Sequence, residues 1–232
     1  GPGGGGESRG RRVAFGIGEY GRTGIVTGRG LHGGMVADGG AFLTFWDYVR
    51  PSIRLAGLSD ANVRYGWTHD SIALGEDGPT HQPVEQIASL RAMPNMIVIR
   101  PADANETIEA WRIAAGHRGG PVGLVLTRQK LPVLDRAVLA PASGTACGAY
   151  VLVDAVPDLL PELILIATGS EVSLALAAHQ QLSSEGVRSR VVSMPSWELF
   201  EAQPKAYRAS MFQYAVAGRV SGEAACALGW AL

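Results

Sequence analysis

Apolar and polar positions along the chain switch between a period near two and a period near four residues, and the switches cut it into strand-length and helix-length pieces. Residues 12–15 read as a short strand and residues 23–31 as a helix, followed by a weak strand around Met35, Val36 and Ala37. From Ala41 to Leu58 the apolar side chains recur at 42, 45, 46, 49 and 53, the spacing of a buried helix face, with Pro51 expected to kink or restart the helix. Residues 61–67 are rich in β-formers, 84–91 return to helical spacing, and 95–99 form a buried strand. Asp103 with Glu106 three residues on is a capping-box pattern that opens a helix over 104–116, and 123–126 is a further strand. After a stretch rich in Pro, Ala, Ser and Gly come strands at 149–153, 163–167 and 188–192, a helix over 171–185, a segment at 196–200 and a last strand at 216–220. Strands alternating with helices predict an α/β protein of two domains, each a mostly parallel sheet flanked by helices. The expected layout is a glycine-rich disordered tail over 1–10, a first domain over 11–132, a linker over 133–148 and a second domain over 149–232.

Composition narrows the classes of partner. With 232 residues, 47% hydrophobic and 18% charged, the chain has the make-up of a soluble globular protein, and its net charge of −1 gives no electrostatic reason to expect nucleic acid or an anionic membrane. The basic cluster at 9–12 reads as a solvated end. Cys147 and Cys226 lie far apart without metal-ligand spacing, which suits reduced thiols. No apolar run reaches membrane-spanning length and the start lacks a signal-peptide core. A cytoplasmic address is expected, with a plastid the other compatible compartment.

The chemistry concentrates at 67–85, WTHDSIALGEDGPTHQPVE, between a strand end and a helix start. His69, Asp77 and His81 alternate there with Gly75, Gly78 and Pro79, whose tight turns let polar side chains converge as a polyhydroxylated or phosphorylated substrate requires. A zinc site is disfavoured, because the ligands lack helical spacing and no cysteine is near; an ordinary polar surface loop is the bland alternative. Gly16–Gly21 matches G-x-G-x-x-G with Asp38 downstream, so a dinucleotide-binding loop is a rival reading. Glu19 inside that loop would repel a pyrophosphate. Phe42, Phe45 and Tyr48 form an i, i+3, i+6 aromatic ridge, which by itself indicates core packing. Arg128 follows a strand, where a guanidinium suits a phosphate or merely the surface, and residues 168–171 could form an anion-binding nest or a helix cap.

The run THDSIALGEDGPTHQPVEQIASLRAMPNMIVIRPAD at 68–103, with LTRQKLP at 126–132 and IATGSEV at 166–172, resembles the transketolase family from about Arg11 to the C-terminus. The resemblance implies a thiamine-diphosphate-dependent transferase. It would move a two-carbon ketol unit from a ketose phosphate to an aldose phosphate, in the sugar metabolism of the pentose phosphate and Calvin cycles. It implies that Glu19 is the essential acid at the cofactor's pyrimidine ring and that Phe42, Phe45 and Tyr48 surround that ring. His69 and Asp77 would engage sugar hydroxyls, with His69 also catalytic, and His81 with Arg128 would hold phosphate. The second domain would match the transketolase C-terminal domain, which carries no catalytic residue. Mg2+ would be held by an N-terminal domain that also takes the diphosphate and is absent from this stretch, so the chain is expected to be partial and inactive alone. Its partners would be sugar phosphates and either a second copy in a homodimer or the missing magnesium- and diphosphate-binding domain. Gly18, Arg22 and Gly39–Gly40 depart from the usual family pattern. A non-catalytic binding module of the same family is the alternative to an enzyme.

Overall fold

The computed structural model describes residues 13, 15–154, 156 and 159–230. Two four-stranded sheets carry the architecture. The first comprises β1 (Ala37–Phe42), β2 (Val63–Thr68), β3 (Ile97–Ile99) and β4 (Val122–Val125), in the order β1-β2-β4-β3 with every pair parallel. Parallel strands need crossovers, and these are α2 (Trp46–Leu58), α3 (Gln86–Arg91) and α4 (Ala104–Gly116), with α1 (Glu19–His32) packed on β1 and α2. The all-apolar β4 is buried on both faces, as a central strand with helices on each side must be. Trp46, Val49, Ile53 and Ala56 project from α2 onto Val63, Tyr65 and Trp67 of β2 to form the main core.

The second sheet holds β5 (Tyr150–Asp154), β6 (Leu163–Ala167), β7 (Ser189–Ser193) and β8 (Gly218–Gly222) in the order β5-β7-β6-β8. β6 pairs in parallel with both β7 and β8, whereas β5 runs antiparallel to β7. Helices α5 (Glu171–Ser184), α6 (Trp197–Glu201) and α7 (Lys205–Phe212) cover it. The chain is thus a two-domain α/β protein, as its alternation of periods requires.

Several local expectations change. The expected helix over 41–58 is divided: β1 runs through Phe42, a 3-10 turn spans Leu43–Phe45, and α2 begins at Trp46. α2 continues through Pro51 without a restart; the proline removes the hydrogen bond to the Asp47 carbonyl, and the buried apolar face holds the helix across the gap. α1 begins at Glu19, four residues earlier than its apolar spacing suggests, and the weak strand at 35–37 lies instead at 37–42. The described residues ahead of α1 form no strand; Arg12 and Ala14 of the expected strand, and the expected tail over 1–10, lie outside the described residues. The stretch read as linker holds a 3-10 helix over Ala142–Cys147, and α7 has no counterpart among the expected elements.

The two sheets meet along a polar seam. Arg91 donates from both terminal nitrogens to Glu223 at 2.7 Å each and lies 4.1 Å from the Trp197 ring centroid, while Trp230 donates to the same carboxylate. Glu106, fully buried, accepts from the Ala102 amide, the Tyr150 hydroxyl and Ser193 Oγ. Burial pushes its pKa up, against the pull of those three donors. Val98 of the edge strand β3 donates its amide to Glu198 of α6 at 3.1 Å.

Candidate active site

Where β1 and β2 end, their neighbours Gly40 and Gly66 sit side by side in register and form the floor of a cavity of about 370 Å³. A Cβ on Gly40 would come 3.3 Å from the Gly66 carbonyl, so the floor is kept low by the absence of side chains. Gly39 answers to packing: a Cβ there would stand 3.0 Å from Val26, which α1 presses against β1. Glu19 and Arg22 of α1 form one wall, paired at 3.9 Å, and Ala41, Phe42, Phe45 and Thr68 complete the lining. Glu19 occupies the first turn of α1, where the helix dipole favours a carboxylate.

Around the cavity mouth an aromatic stack passes through three different elements. Phe42 and Phe45 lie 6.0 Å apart, nearly parallel, and Tyr48 continues the row at 6.0 Å from Phe45, largely exposed. The ridge therefore exists, built from a strand end, a 3-10 turn and a helix start, although the single helix expected to carry it does not.

The loop after β2 closes the rim. His69 stacks on Phe42 at 3.6 Å, shares a hydrogen bond with Thr68 Oγ1 at 3.0 Å through Nδ1, and places Nε2 3.8 Å from Asp77. Two consecutive 3-10 turns, Gly75–Asp77 and Pro79–His81, joined at Gly78 with φ of 71°, bring His81 edge-on to Phe45 at 5.3 Å. Gly75 takes a φ of 67°, a conformation L side chains rarely adopt, and a Cβ there would stand in ordinary contact with the Arg128 guanidinium at 3.7 Å. Partial desolvation holds the His69 pKa below its ordinary value; Asp77 opposes that shift, and Arg128 and His81 reinforce it. At neutral pH His69 is thus an uncharged imidazole, able to donate from one nitrogen and accept at the other. Among the described residues no group of three or more His, Cys, Asp or Glu side chains is arranged to hold a metal ion, and no helix is long and apolar enough to cross a membrane.

Phe42, Phe45, His69, Asp77, His81 and Arg128 thus share one rim, with Glu19 lining the cavity beneath it. A family model for the transketolase pyrimidine-binding domain matches residues 4–133, and one for the transketolase-like C-terminal domain matches 148–232. The chain belongs to the transketolase family. The transketolase of Geobacillus stearothermophilus is 52% identical over 221 residues, which are 95% of this chain and 33% of that protein. The chain accordingly spans about a third of the length of the curated relatives it matches. Among solved structures, the Leishmania mexicana transketolase superposes with a TM-score of 0.85 at 47% identity, over 91% of this chain and 30% of that one. A Pichia stipitis transketolase in complex with sedoheptulose-7-phosphate reaches 0.75 at 40% identity, over 83% and 28%. A split-gene transketolase described as an inactive β4 tetramer reaches 0.73 at 27% identity, over 92% of this chain and 64% of its own.

Three residues at the transketolase-like site escape a reading of the sequence. Arg22 faces Glu19 across one helical turn, and its i+3 spacing is the signal that could have found it. Thr68 both lines the cavity and fixes the His69 ring. Asp70 is almost wholly buried and meets Arg100, a pairing between distant segments that no local pattern announces. At 168–171, read as either an anion nest or a helix cap, the Thr168 carbonyl and hydroxyl both accept from the Arg100 guanidinium, a cation. Ser170 makes no side-chain capping bond to α5.

Proposed function

We propose that this chain forms the pyrimidine-binding and C-terminal part of a transketolase, an enzyme that passes a two-carbon ketol unit from a ketose phosphate to an aldose phosphate. The observation that carries the reading is the cavity in which Glu19 faces Phe42 and Phe45 above a floor of two glycines. A flat aminopyrimidine fits those walls, because aromatic faces stack on its ring and the carboxyl group meets a ring nitrogen at the edge. When bound, thiamine diphosphate supplies the carbanion chemistry that breaks a carbon–carbon bond beside a ketone.

The chain's own residues then have distinct tasks. Glu19 holds a proton at the pyrimidine nitrogen, and Phe45, flanked by Phe42 and Tyr48, fixes the plane of the ring. Neutral His69 and Asp77 orient sugar hydroxyls, with His69 positioned to donate or accept as charge develops on the sugar oxygen. His81 and Arg128 hold the substrate phosphate at the outer rim. We place the division between the two domains within 133–148. Magnesium and the diphosphate belong to a further domain, supplied by the rest of the polypeptide or by another subunit. The split-gene transketolase neighbour, described as an inactive β4 tetramer, supports the reading that a further part is needed for activity.

The test is reconstitution. The 232-residue chain is mixed with the separately produced part of the Geobacillus stearothermophilus transketolase that it does not span, together with Mg2+ and thiamine diphosphate. Ketol transfer is then followed from a ketose phosphate to an aldose phosphate. Activity is expected, and Glu19→Gln should lower it by orders of magnitude, since the proton at the ring nitrogen is lost. Near-normal turnover by Glu19→Gln would remove the role given to Glu19. Binding of both halves without turnover would favour a non-catalytic module of the family.

A further inference from the structure

The backbone of His69 is in an unusual state. Its φ is 61°, in the left-handed region that non-glycine residues enter only when their surroundings compel it. The ring contacts, Phe42 on one face and Thr68 at Nδ1, orient the imidazole but do not hold the main chain. The next residue in the chain does. Asp70 is 1% exposed, and one oxygen of its carboxylate accepts from Arg100 Nε at 2.9 Å and lies 2.7 Å from a second guanidinium nitrogen, with Ser71 Oγ donating to the other oxygen at 3.1 Å.

Arg100 is itself fully buried just beyond β3, and the other hydrogen-bond partners of its side chain lie in the second domain. Its third nitrogen donates to the Thr168 carbonyl at 3.0 Å, to Thr168 Oγ1 at 2.8 Å and to the Glu171 carboxylate, and Ser170 Oγ lies 3.3 Å from the second. Its backbone is tied on both sides, the amide to the Pro195 carbonyl at 2.8 Å and the carbonyl to the Gly169 amide at 3.2 Å. A Cβ on Gly169 would come 2.7 Å from the guanidinium carbon, so the β6–α5 turn closes directly over the side chain. Glu171 is fixed in turn by the Ala224 amide and Ser170. Burial opposes the charge on Arg100, but Asp70 and Glu171 outweigh it and raise its pKa, so the guanidinium stays charged.

We propose that Arg100 is a positioning residue through which the C-terminal domain, by Thr168 and Glu171, holds Asp70 and with it the strained backbone that presents His69 to the substrate. The domain that carries none of the proposed catalytic groups thereby sets the geometry of one. The inference rests on the assignment of His69 made above, and its test needs neither cofactor nor turnover.

Hydrogen exchange and a histidine NMR titration are measured on the 232-residue chain carrying Glu171→Ala or, separately, Thr168→Val. Neither side chain hydrogen-bonds to His69 or Asp70. Both variants are expected to speed exchange at the amides of residues 70–72 at least tenfold relative to the unchanged chain. Both should also move the His69 titration upward, towards that of a solvated imidazole. The control is Glu162→Ala, which removes an exposed carboxylate of the same domain paired with Arg188 at 3.6 Å and should do neither. Unchanged exchange at 70–72 in both variants would overturn the proposal. So would a rise spread evenly over both sheets, which would mark general destabilisation. Should reconstituted wild-type material show no ketol transfer while the loop responds as expected, the transketolase assignment fails and the coupling stands. Should transfer occur and the loop not respond, the coupling alone fails.

Discussion

The phosphate role proposed for Arg128 follows from its planar fork, which presents paired donors, and among the described residues no carboxylate forms a salt bridge with it. Lysine would keep the charge and lose the pairing. Arg128→Lys in the reconstituted enzyme should therefore cost about 1 to 3 kcal/mol in apparent transition-state binding, and only with phosphorylated donors. Comparing kcat/KM for a ketose phosphate and its unphosphorylated analogue checks this; equal losses on both would make Arg128 structural. Space rather than charge decides at Gly123, where a Cβ would meet the Trp67 ring at 2.2 Å and Met96 at 2.6 Å. Gly123→Ala should destabilise the chain by about 1 to 3 kcal/mol through overpacking, read from the urea midpoint. At this scale the sequence is informative about residue types and blind to their distant partners. The density of histidine, aspartate and glycine at 69–81 announces a site, whereas Asp70 in the same run gives no sign that it is buried against a residue thirty positions away.

Among the elements, α4 is the one whose start is written most plainly in the chain. Asp103 accepts from the Glu106 amide at 2.9 Å as the capping pattern requires, but Glu106 reaches back to Ala102 instead of to the cap residue. Asp103 also accepts from the Leu134 amide at 3.0 Å and from Arg136 at 3.0 Å, so it fastens the chain leaving β4 to the helix that precedes it. Asp103→Ala should thus cost more than a cap, about 2 to 4 kcal/mol once the stranded Leu134 amide and Arg136 charge are included, measurable by denaturant unfolding. α7 is illegible for the opposite reason. Its eight residues bury fully only Met211, with Tyr207 and Phe212 partly buried beside it, too short an apolar face to mark a helix in the sequence. The antiparallel sense of β5 is equally hidden, since a strand's own residues do not encode the direction of its neighbour. The division at Phe42–Trp46 is hidden because one apolar spacing runs across the end of a strand, a 3-10 turn and the start of a helix.

For the whole molecule, the alternation of periods is enough to define two α/β domains, and the seam between them depends on side chains that meet only after both have folded. One pH response belongs to the second domain. His179 is buried, with Nδ1 2.8 Å from Ser189 Oγ, and desolvation holds its pKa below the ordinary histidine value. The folded state then binds its proton less readily than the unfolded chain. The stability it contributes is present above pH 6.5 and is lost as pH falls through the folded pKa. The urea midpoint should drop between pH 7.5 and 5.5, with a smaller drop in His179→Gln. A last consequence belongs to the seam itself. β3 is an edge strand, and the main-chain donor of Val98 on its open side is taken up by Glu198 of the other domain. Cut free of the second domain, the first would present a bare run of Ile97, Val98 and Ile99 with an unanswered amide, a template onto which another chain's strand can add. The C-terminal domain therefore also acts as a built-in guard against aggregation, and residues 1–132 produced alone should assemble through this edge.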